Sequence, residues 1–265
     1  MDSSKIIKLS IIVFAYFACT KPTTLDDNPL DPGGGEYQTP IVIINSVFPE
    51  GSTVTSATAT FGLTGNELVF EFRYKLNDHE WSAWSNEMNV LVEFLDEGSN
   101  TFYAQSRYES LEESDIASLG FTVDAVSGPA LMFYPRRHFA EQNQSVTFQI
   151  MAEEVQNLAG LEIGIGYEPS KLIIQDVSSG SLFSGTGSPI FFLDISENGQ
   201  ATITTAVWGD GDPAFDGTGS IAEITVRVLE TGSISLEFDG TEIFRDQNNS
   251  EIEVSETVPG LVIVN

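Results

Sequence analysis

Short runs in which apolar and polar residues alternate make up most of the chain, and small or polar turn residues separate them. In residues 68–77, LVFEFRYKLN, one face carries Val69, Glu71, Arg73 and Lys75, and the other carries Leu68, Phe70, Phe72, Tyr74 and Leu76. A period of two is the pattern of a half-buried β-strand. No run of any length shows the period of an amphipathic helix, so the sequence predicts an all-β protein.

Strands of this kind recur from residue 40 to residue 125, in runs such as IVIINSVF at 41–48 and SATATFGLTG at 56–65. Short strands at regular spacing with polar turns predict a β-sandwich. The segment resembles the immunoglobulin-like and fibronectin-III-like modules of bacterial surface proteins. Trp81 and Trp84, in the run WSAWS, are interpreted as packing residues, with a sugar-binding platform as the alternative.

Ser127-Gly128-Pro129 marks the boundary to a second domain at residues 128–265. Nearly every apolar run in this part of the chain is short and ends at Gly, Asn, Asp or Ser. This pattern predicts a jelly roll or a related double-sheet sandwich. The expected fold is therefore two β-sandwich domains in series.

The order of motifs in the second domain resembles that of the cohesin domain. In chain order the motifs are Asn157-Leu158-Ala159-Gly160, the strand Leu161 to Gly166, Tyr167-Glu168-Pro169, Gly180-Ser181-Leu182-Phe183, Gly217-Thr218-Gly219 before the strand Ile221 to Val226, Asp246-Gln247-Asn248-Asn249, and the last strand Leu261 to Val264. Glu168 stands where the family more often has Asp. The resemblance implies a nine-stranded jelly roll without catalysis or a cofactor. It also implies a protein partner of the dockerin type, a calcium-loaded helical module carried by polysaccharide-degrading enzymes.

In the strand at 161–166, one face carries large apolar side chains and the other face has almost no side chains. Leu161, Ile163 and Ile165 alternate with Glu162, Gly164 and Gly166. Strands normally avoid glycine, because it packs nothing and loses the most backbone entropy. The resemblance implies that this strand contributes to an open sheet face that docks the partner's helices. Glu162 falls where the family carries a polar contact residue, and we predict that the two glycines flatten the face around it.

Face alternation adds candidates on neighbouring strands. In ATITTAVW at 201–208, Ile203, Thr205 and Val207 are expected inward, and Thr202, Thr204, Ala206 and Trp208 outward. Phe192 and Asp194 are expected outward on the strand before it. The predicted partner contacts are Glu162, Gly164, Gly166, Asp194, Thr204 and Trp208.

Several alternatives stay open. Gly164 and Gly166 could mark a β-bulge or lie under a loop, and Trp208 could be edge packing. The chain could instead be a carbohydrate-binding surface lipoprotein that uses Trp208 or Phe192 against sugar rings. A third interpretation is a structural adhesion or spacer protein, in which both sandwiches only present a surface.

The N-terminus has the layout of a signal peptide. Lys5 and Lys8 lead into an apolar run, from Leu9 to Ala18, that is too short to span a bilayer. Ala18-Cys19 holds the only cysteine and resembles the bacterial lipobox, in which the cysteine becomes the lipidated first residue; ordinary secretion or a buried cysteine is the alternative. The composition of residues 19–39, which is rich in Pro, Gly, Thr and Asp, predicts a flexible acidic tether. We therefore expect a lipid-anchored envelope protein of the outer membrane, with surface display left open.

Charge and residue chemistry exclude two classes of function. The formal net charge of −28 argues against binding nucleic acid. The histidines, His79 and His138, fall in different domains, and no metal-ligand spacing, activated serine or phosphate loop is present, so we predict no enzyme and no resident metal. The run GDGDPAFDG, with Asp210, Asp212 and Asp216, could hold calcium or be an acidic turn. DQNNSEIEVSET lacks the central Gly and the final acid of an EF-hand loop.

Overall fold

A computed structural model describes residues 29–185, 189–196, 198–207 and 214–265. These residues form β-strands joined by turns, as the alternation predicts. No helix among them is long and apolar enough to cross a membrane. The expected signal peptide at 1–18, the lipidation site Cys19 and the first part of the tether lie outside the described residues.

Seven strands form the N-terminal half of the described chain. They are β1 (Val42–Ser46), β2 (Thr53–Val54), β3 (Thr58–Gly65), β4 (Val69–Leu76), β5 (Asn89–Glu93), β6 (Gly98–Tyr108) and β7 (Ala117–Val123). One sheet has the order β1-β3-β5 and the other has the order β2-β7-β6-β4. Phe61 of the first sheet stacks on Phe102 of the second, with ring centroids 4.0 Å apart and both side chains fully buried. The two sheets therefore share one core, which makes this half a β-sandwich.

One expectation for β4 is wrong. Phe72 is buried as predicted, but Leu68 and Phe70 are exposed, Phe70 by 54%. The pairing of β4 with β6 shifts register between Val69 and Glu71. A β-bulge inserts one extra residue, so the faces exchange at that point and Val69 packs on the core instead.

Twelve strands form the C-terminal half of the described chain. They are β8 (Ala130–Tyr134), β9 (Arg137–Ala140), β10 (Ser145–Gly166), β11 (Leu172–Ser179), β12 (Pro189–Ser196), β13 (Gln200–Val207), β14 (Phe215–Val228), β15 (Gly232–Phe238), β16 (Ile243–Asp246), β17 (Glu251–Ile252), β18 (Glu256–Val258) and β19 (Gly260–Val264).

The long strand β10 belongs to both layers of this second sandwich. Its first half pairs with β8 and β14, and its second half pairs with β13, β16 and the end of β15. Phe148 and Ile150 of the first half and Ile163 of the second are fully buried in one core cluster. The inward faces of the two layers therefore pack against each other, as in the predicted jelly roll.

A bend in β10 allows the strand to change layers. Glu154 and Asn157 have positive φ values of 49° and 54°, and the register with β14 shifts on both sides of Val155. The side chain of Asp216 accepts a hydrogen bond from the Asn157 backbone N–H at 2.7 Å. Non-glycine residues at positive φ are strained, so this fixed carboxylate helps to hold the bend.

The junction between the sandwiches is polar and buried. The Arg136 guanidinium lies 2.5 Å from the Glu97 carboxylate, and their side chains are only 9% and 11% exposed. Glu97 also accepts a hydrogen bond from the Ala125 backbone N–H, and the Arg136 backbone N–H donates to Asp96 at 2.6 Å. One loop of the first sandwich thus binds both the linker and the second sandwich.

Candidate partner-binding site

Four adjacent strands of the second sandwich present one exposed surface, called here the open face. Pairing places Phe192 of β12 opposite Thr204 of β13, Thr204 opposite Glu162 of β10, and Glu162 opposite Ile243 of β16. Paired residues in antiparallel strands share a face, so these four side chains form a row across the sheet. Phe192 is 66% exposed and Ile243 is 38% exposed, which leaves apolar groups at both ends of the row.

Polar groups occupy the centre of the open face. The Thr204 hydroxyl donates a hydrogen bond of 3.2 Å to the Glu162 carboxylate, which is exposed. Asp194 is also exposed and lies opposite Thr202. The structure therefore brings Glu162, Thr204 and Asp194 to one surface, on the face that alternation predicted for them.

The inward side of these strands also follows the predicted alternation. Leu161, Ile163 and Ile165 are buried, as are Ile203 and Thr205 of β13. The buried Thr205 hydroxyl donates to the Ile190 carbonyl at 2.7 Å, which satisfies it inside the core. The core therefore fixes the register of β10 and β13, because a slip of one residue would turn all these side chains outward.

Gly164 lies under a loop, which is one of the alternatives left open by the sequence. A Cβ atom on Gly164 would come within 2.1 Å of an Asp239 carboxylate oxygen, and the residue is buried. The Asp239 backbone N–H donates to the Gly164 carbonyl at 3.1 Å, and the Asp239 carboxylate accepts a hydrogen bond from Thr241 N–H at 3.0 Å. The absence of a side chain at Gly164 therefore leaves room for the β15–β16 turn to lie on the sheet. Gly164 does not form part of an open flat surface.

Gly166 differs from Gly164. The nearest atom to a Cβ built there is the Glu237 carbonyl oxygen at 3.9 Å, an ordinary contact distance, and the residue is partly exposed. The structure therefore gives no steric reason for glycine at this position.

The turn after β10 is structural, as expected. The Tyr167 backbone N–H donates to the Gly199 carbonyl at 2.8 Å, and the Tyr167 side chain packs on the core. Lys171 Nζ lies 2.6 Å from the Glu168 carboxylate, and its hydrogen bond lowers the pKa of Glu168. The hydrogen bond from Tyr167 to Gly199 connects this turn to the β12–β13 hairpin, which carries half of the open face.

Trp208, Asp210 and Asp212 lie outside the described residues, so their predicted roles stay predictions. Asp216 is described, and it is engaged with the Asn157 backbone as given above. Asp246 accepts hydrogen bonds from the backbone N–H groups of Asn248 and Ser250 at 2.8 and 2.7 Å, and these bonds lower its pKa. Within the described ranges, no cluster of three or more His, Cys, Asp or Glu side chains could hold a metal ion.

Trp81 and Trp84 are packing residues rather than a free sugar platform. The Arg73 guanidinium lies 4.9 Å from the Trp81 ring and 4.5 Å from the Trp84 ring, and Arg107 lies 4.5 Å from Trp84. Cations at these distances interact with the ring faces. Stacking by a sugar on those faces would require the arginines to move.

Sequence reasoning missed two residues of this region. Ile243 completes the row on the open face, but its strand is short and reaches β10 from a distant part of the chain. Asp239 covers Gly164 through a turn that no local pattern connects with β10. The alternation of TEIFRD could have indicated that Ile243 and Arg245 share a face; it could not have shown where that face lies.

Comparison with solved structures finds similar folds for about half of the chain. A non-cellulosomal cohesin from the archaeon Archaeoglobus fulgidus is 18% identical, with 51% of this chain and 90% of that chain covered and a TM-score of 0.43. The third cohesin of ScaC from Acetivibrio cellulolyticus, solved with the ScaB dockerin, is 18% identical over 51% and 97% of the two chains, with a TM-score of 0.44. The cohesin in the Coh-OlpC–Doc435 complex from Clostridium thermocellum is 16% identical over 51% and 92%, with a TM-score of 0.45.

A comparison with family models gives the assignment of the second sandwich, whereas a search of curated proteins found no match. The matched segment begins in β9 and ends in β19, so it contains all the strands of the open face. Residues 138–264 match the family model of the cohesin domain, which confirms the family expected for this part of the chain.

Proposed function

We propose that this chain is a non-catalytic envelope lipoprotein whose cohesin domain binds a dockerin-type protein and so tethers an extracellular enzyme or another secreted protein. The domain match over residues 138–264 supports a protein-binding module. Two of the cohesin structures described above are of complexes with dockerins, and the proposal extends that partner class to this chain.

The observation that carries the proposal is the row across the open face. Phe192 and Ile243 supply exposed apolar anchors, and Glu162 and Asp194 supply acidic groups. Neighbouring strands lie about 4.8 Å apart, so three steps across the sheet separate Phe192 from Ile243 by about 14 Å. A helix about 10 Å wide fits between these two anchors. Such a helix would have apolar residues at its flanks and a basic or hydrogen-bonding residue facing Glu162.

The same residues argue against catalysis. Among the residues that the structure describes, the row lies on an exposed sheet surface, whereas glycoside cleavage requires two carboxyl groups on either side of a bound sugar. Glu162 is hydrogen-bonded to a threonine and Asp194 is solvated on an edge strand. The cohesin match also favours an interaction module over an enzyme.

The proposal is tested by a pull-down from the source organism with the full-length chain as bait, in calcium or in chelator. The test variant carries Phe192→Ala and Glu162→Arg. We expect capture of a protein with paired calcium-binding loops in calcium only, and a loss of capture by the variant. An anchor residue at the centre of an interface typically contributes about 2 kcal/mol or more, which corresponds to at least a tenfold loss in affinity.

A matched control changes the opposite layer of the same domain. Ile173 on β11 is 41% exposed and Glu223 on β14 is exposed, so Ile173→Ala with Glu223→Arg repeats the chemistry away from the open face. This control should capture the partner normally. Equal losses in both variants, or capture that ignores calcium, would contradict the proposal. Retention of the chain on insoluble polysaccharide, abolished by Phe192→Ala alone, would support the carbohydrate-binding alternative instead.

Lipid anchoring rests on the sequence around Cys19 and has its own test. We propose that cleavage before Cys19 and lipidation of its thiol hold the chain on the outer membrane, and that residues 19–39 extend the sandwiches away from it. Metabolic labelling with palmitate should mark the wild-type chain. Cys19→Ser should abolish the label and release the protein from the membrane fraction. Absence of the label from the wild-type chain would refute the lipid anchor and leave the binding proposal unaffected.

We also propose that the N-terminal sandwich is an immunoglobulin- or fibronectin-III-like spacer. Its three-stranded sheet packs against its four-stranded sheet, and the junction at Arg136 is buried. Both features favour a rigid spacer that holds the cohesin domain in place. Deleting the spacer should leave partner affinity unchanged while reducing capture at the cell surface.

A further inference from the structure

A cleft of about 690 Å³ lies between the two sandwiches. Its first wall comes from the end of β4, the turn after it and β5, and its second wall comes from Pro135 and β9. Ligand sites are commonly clefts of about 300–1,000 Å³ and often lie between domains. This cleft has that size and place, and no residue of the row on the open face lines it.

The buried junction fixes how far apart the two walls stand. Arg136 lies between Pro135 and Arg137 of the second wall, and its guanidinium pairs with Glu97 of the first sandwich at 2.5 Å. The Arg136 backbone N–H donates to the Asp96 carboxylate at 2.6 Å. The second wall is therefore bound to the first sandwich directly beside the cleft, which makes the cleft a preformed site rather than a gap between loosely joined domains.

The charges that line the cleft nearly cancel. Three carboxylates and two cations contribute to the walls: Asp78, Glu80, Glu93, Lys75 and Arg137. Burial lowers the pKa of Arg137, while the charges of Glu93 and Asp96 raise it, so this cation already interacts with carboxylates of the chain. The small excess of charge in the walls is negative and does not favour an anionic ligand.

The aromatic rings near the cleft are engaged with cations of the chain itself. Lys75 Nζ lies 5.1 Å from the centre of the Tyr103 ring. The Arg137 guanidinium lies 4.8 Å from the Phe139 ring and 5.3 Å from the Phe94 ring. A cationic ligand would compete with these side chains for the ring faces and would be repelled by them. A neutral ligand therefore fits the walls better than an ion of either sign.

The polar groups of the cleft include both hydrogen-bond donors and acceptors. Carboxylates only accept, and the ammonium and guanidinium groups only donate. The His138 ring donates from Nε2 to the Thr147 carbonyl at 2.9 Å, and burial lowers its pKa, so its other nitrogen is an acceptor at neutral pH. His79 is exposed on the opposite wall. Hydroxyl groups both donate and accept, so a ligand with several hydroxyl groups can pair with all of these side chains.

Each wall also exposes an apolar side chain to the cleft. Phe139 of the second wall is 54% exposed, and Leu91 of the first wall is 57% exposed. A sugar ring carries its hydroxyl groups around its edge and presents C–H groups on its faces. Such a ring can pack its face on Phe139 while its hydroxyl groups reach the polar side chains.

We propose that the cleft between the sandwiches binds a neutral oligosaccharide, with a sugar ring packed on Phe139 and with hydroxyl groups hydrogen-bonded to Glu80 and to the other polar side chains of both walls. The ligand would bridge the two sandwiches. This site would let the protein hold a glycan while the open face engages a protein partner.

Isothermal titration of the full-length chain with neutral tetrasaccharides tests the proposal. The probes are cellotetraose, xylotetraose, mannotetraose and maltotetraose. We expect saturable binding of at least one of them, with an affinity that does not change as salt rises, because the ligand has no charge to be screened. Phe139→Ala and Glu80→Ala should each weaken this binding about tenfold, since one removes the packing surface and the other removes a charged acceptor.

Matched variants outside the cleft provide the controls. Phe70 is also 54% exposed but does not line the cleft, and Glu109 is an exposed carboxylate away from it. Phe70→Ala and Glu109→Ala should bind the tetrasaccharide as the wild type does. Phe139 and Glu80 are exposed, so their variants should stay folded, and thermal unfolding of each variant checks this.

Several results would overturn the proposal. These are no saturable heat with any of the tetrasaccharides at millimolar concentration, normal binding by Phe139→Ala, an equal loss in Phe70→Ala, and tighter binding of trigalacturonate than of every neutral probe. Binding of tetraserine in place of the sugars would also overturn it and would identify a peptide site. Capture of a protein partner by the open face is measured separately, so either proposal can fail without the other.

Discussion

The ion pair at the domain junction offers a quantitative test of how the two sandwiches are joined. Arg136 and Glu97 are 9% and 11% exposed, so water screens their attraction little. Removing one member of a buried pair leaves the other charge without a partner, which typically costs about 3–5 kcal/mol. We therefore expect Glu97→Gln to lower the free energy of unfolding by about 3 kcal/mol. Arg136→Met should cost a similar amount, because Glu97 then keeps only the Ala125 N–H.

The double variant is expected to be much less destabilised than the sum of the two single variants. With both charges gone no desolvated charge remains, and Met can fill part of the space of the guanidinium stem. Arg136 Nε is buried without a hydrogen-bond partner. This unsatisfied donor reduces the stability that the ion pair adds relative to the two neutral side chains of the double variant. A coupling energy of about 2 kcal/mol from the double-mutant cycle would express this difference.

Urea unfolding, monitored by circular dichroism, gives the free energies of unfolding of the wild type, the two single variants and the double variant. An exposed ion pair provides the control. Lys171 and Glu168 approach to 2.6 Å, close to the 2.5 Å of the buried pair, but their side chains are 38% and 56% exposed. Burial, rather than distance, should set the coupling, so this second cycle should give a far smaller value. Equal coupling in the two cycles would refute the reasoning from burial.

Three further predictions test other parts of the structure. Gly164→Ala should lower stability, since the new methyl group displaces the Asp239 carboxylate, while Gly166→Ala should be neutral; urea unfolding compares them. Trp84→Ala should destabilise the N-terminal sandwich by about 1–2 kcal/mol, because two arginines lose their cation–π partner, whereas the exposed Met88→Ala should not. Burial lowers the pKa of His138, so the unfolded chain takes up this proton at a higher pH than the folded chain. The stability from neutral His138 is complete above pH 6.5 and decreases as the pH falls below it, and His138→Gln should flatten this part of the profile.

Each of these has a clear contrary outcome. Equal stability of the two alanine variants on β10 would mean that the turn above Gly164 moves aside at no cost. Equal effects of Trp84→Ala and Met88→Ala would show that the arginines are held by their carboxylates alone. An unchanged pH profile in His138→Gln would assign acid sensitivity below pH 6.5 to other groups.

The strands and the core could be predicted from the sequence because burial repeats with the period of the backbone. Leu161, Ile163 and Ile165 are buried, and Glu162 between them is exposed. The same rule failed at Phe70, where a bulge shifts the faces by one residue. A bulge is set by the pairing partner, and the β4 sequence alone carries no signal for it.

Contacts between distant segments explain the rest of what could not be predicted. Gly164 is bare because Asp239 lies above it, and these residues meet only once β15 and β16 have folded. His79 and His138 looked isolated in the sequence, yet both line one cleft once the sandwiches pack. Face alternation could place Thr204 and Asp194 on the open face, because that prediction needs only the local register.

The junction fixes how the two sandwiches are placed, and a variant of it tests whether the open face depends on that placement. Glu97 and Arg136 join the two sandwiches through a buried ion pair. The open face lies wholly within the second sandwich and does not depend on that orientation. In a chain that remains folded, Glu97→Gln should therefore lower the free energy of unfolding and leave capture of the protein partner intact. If capture falls as well, the junction supports the fold of the second sandwich. If neither changes, other contacts hold the junction and the ion pair contributes little to stability.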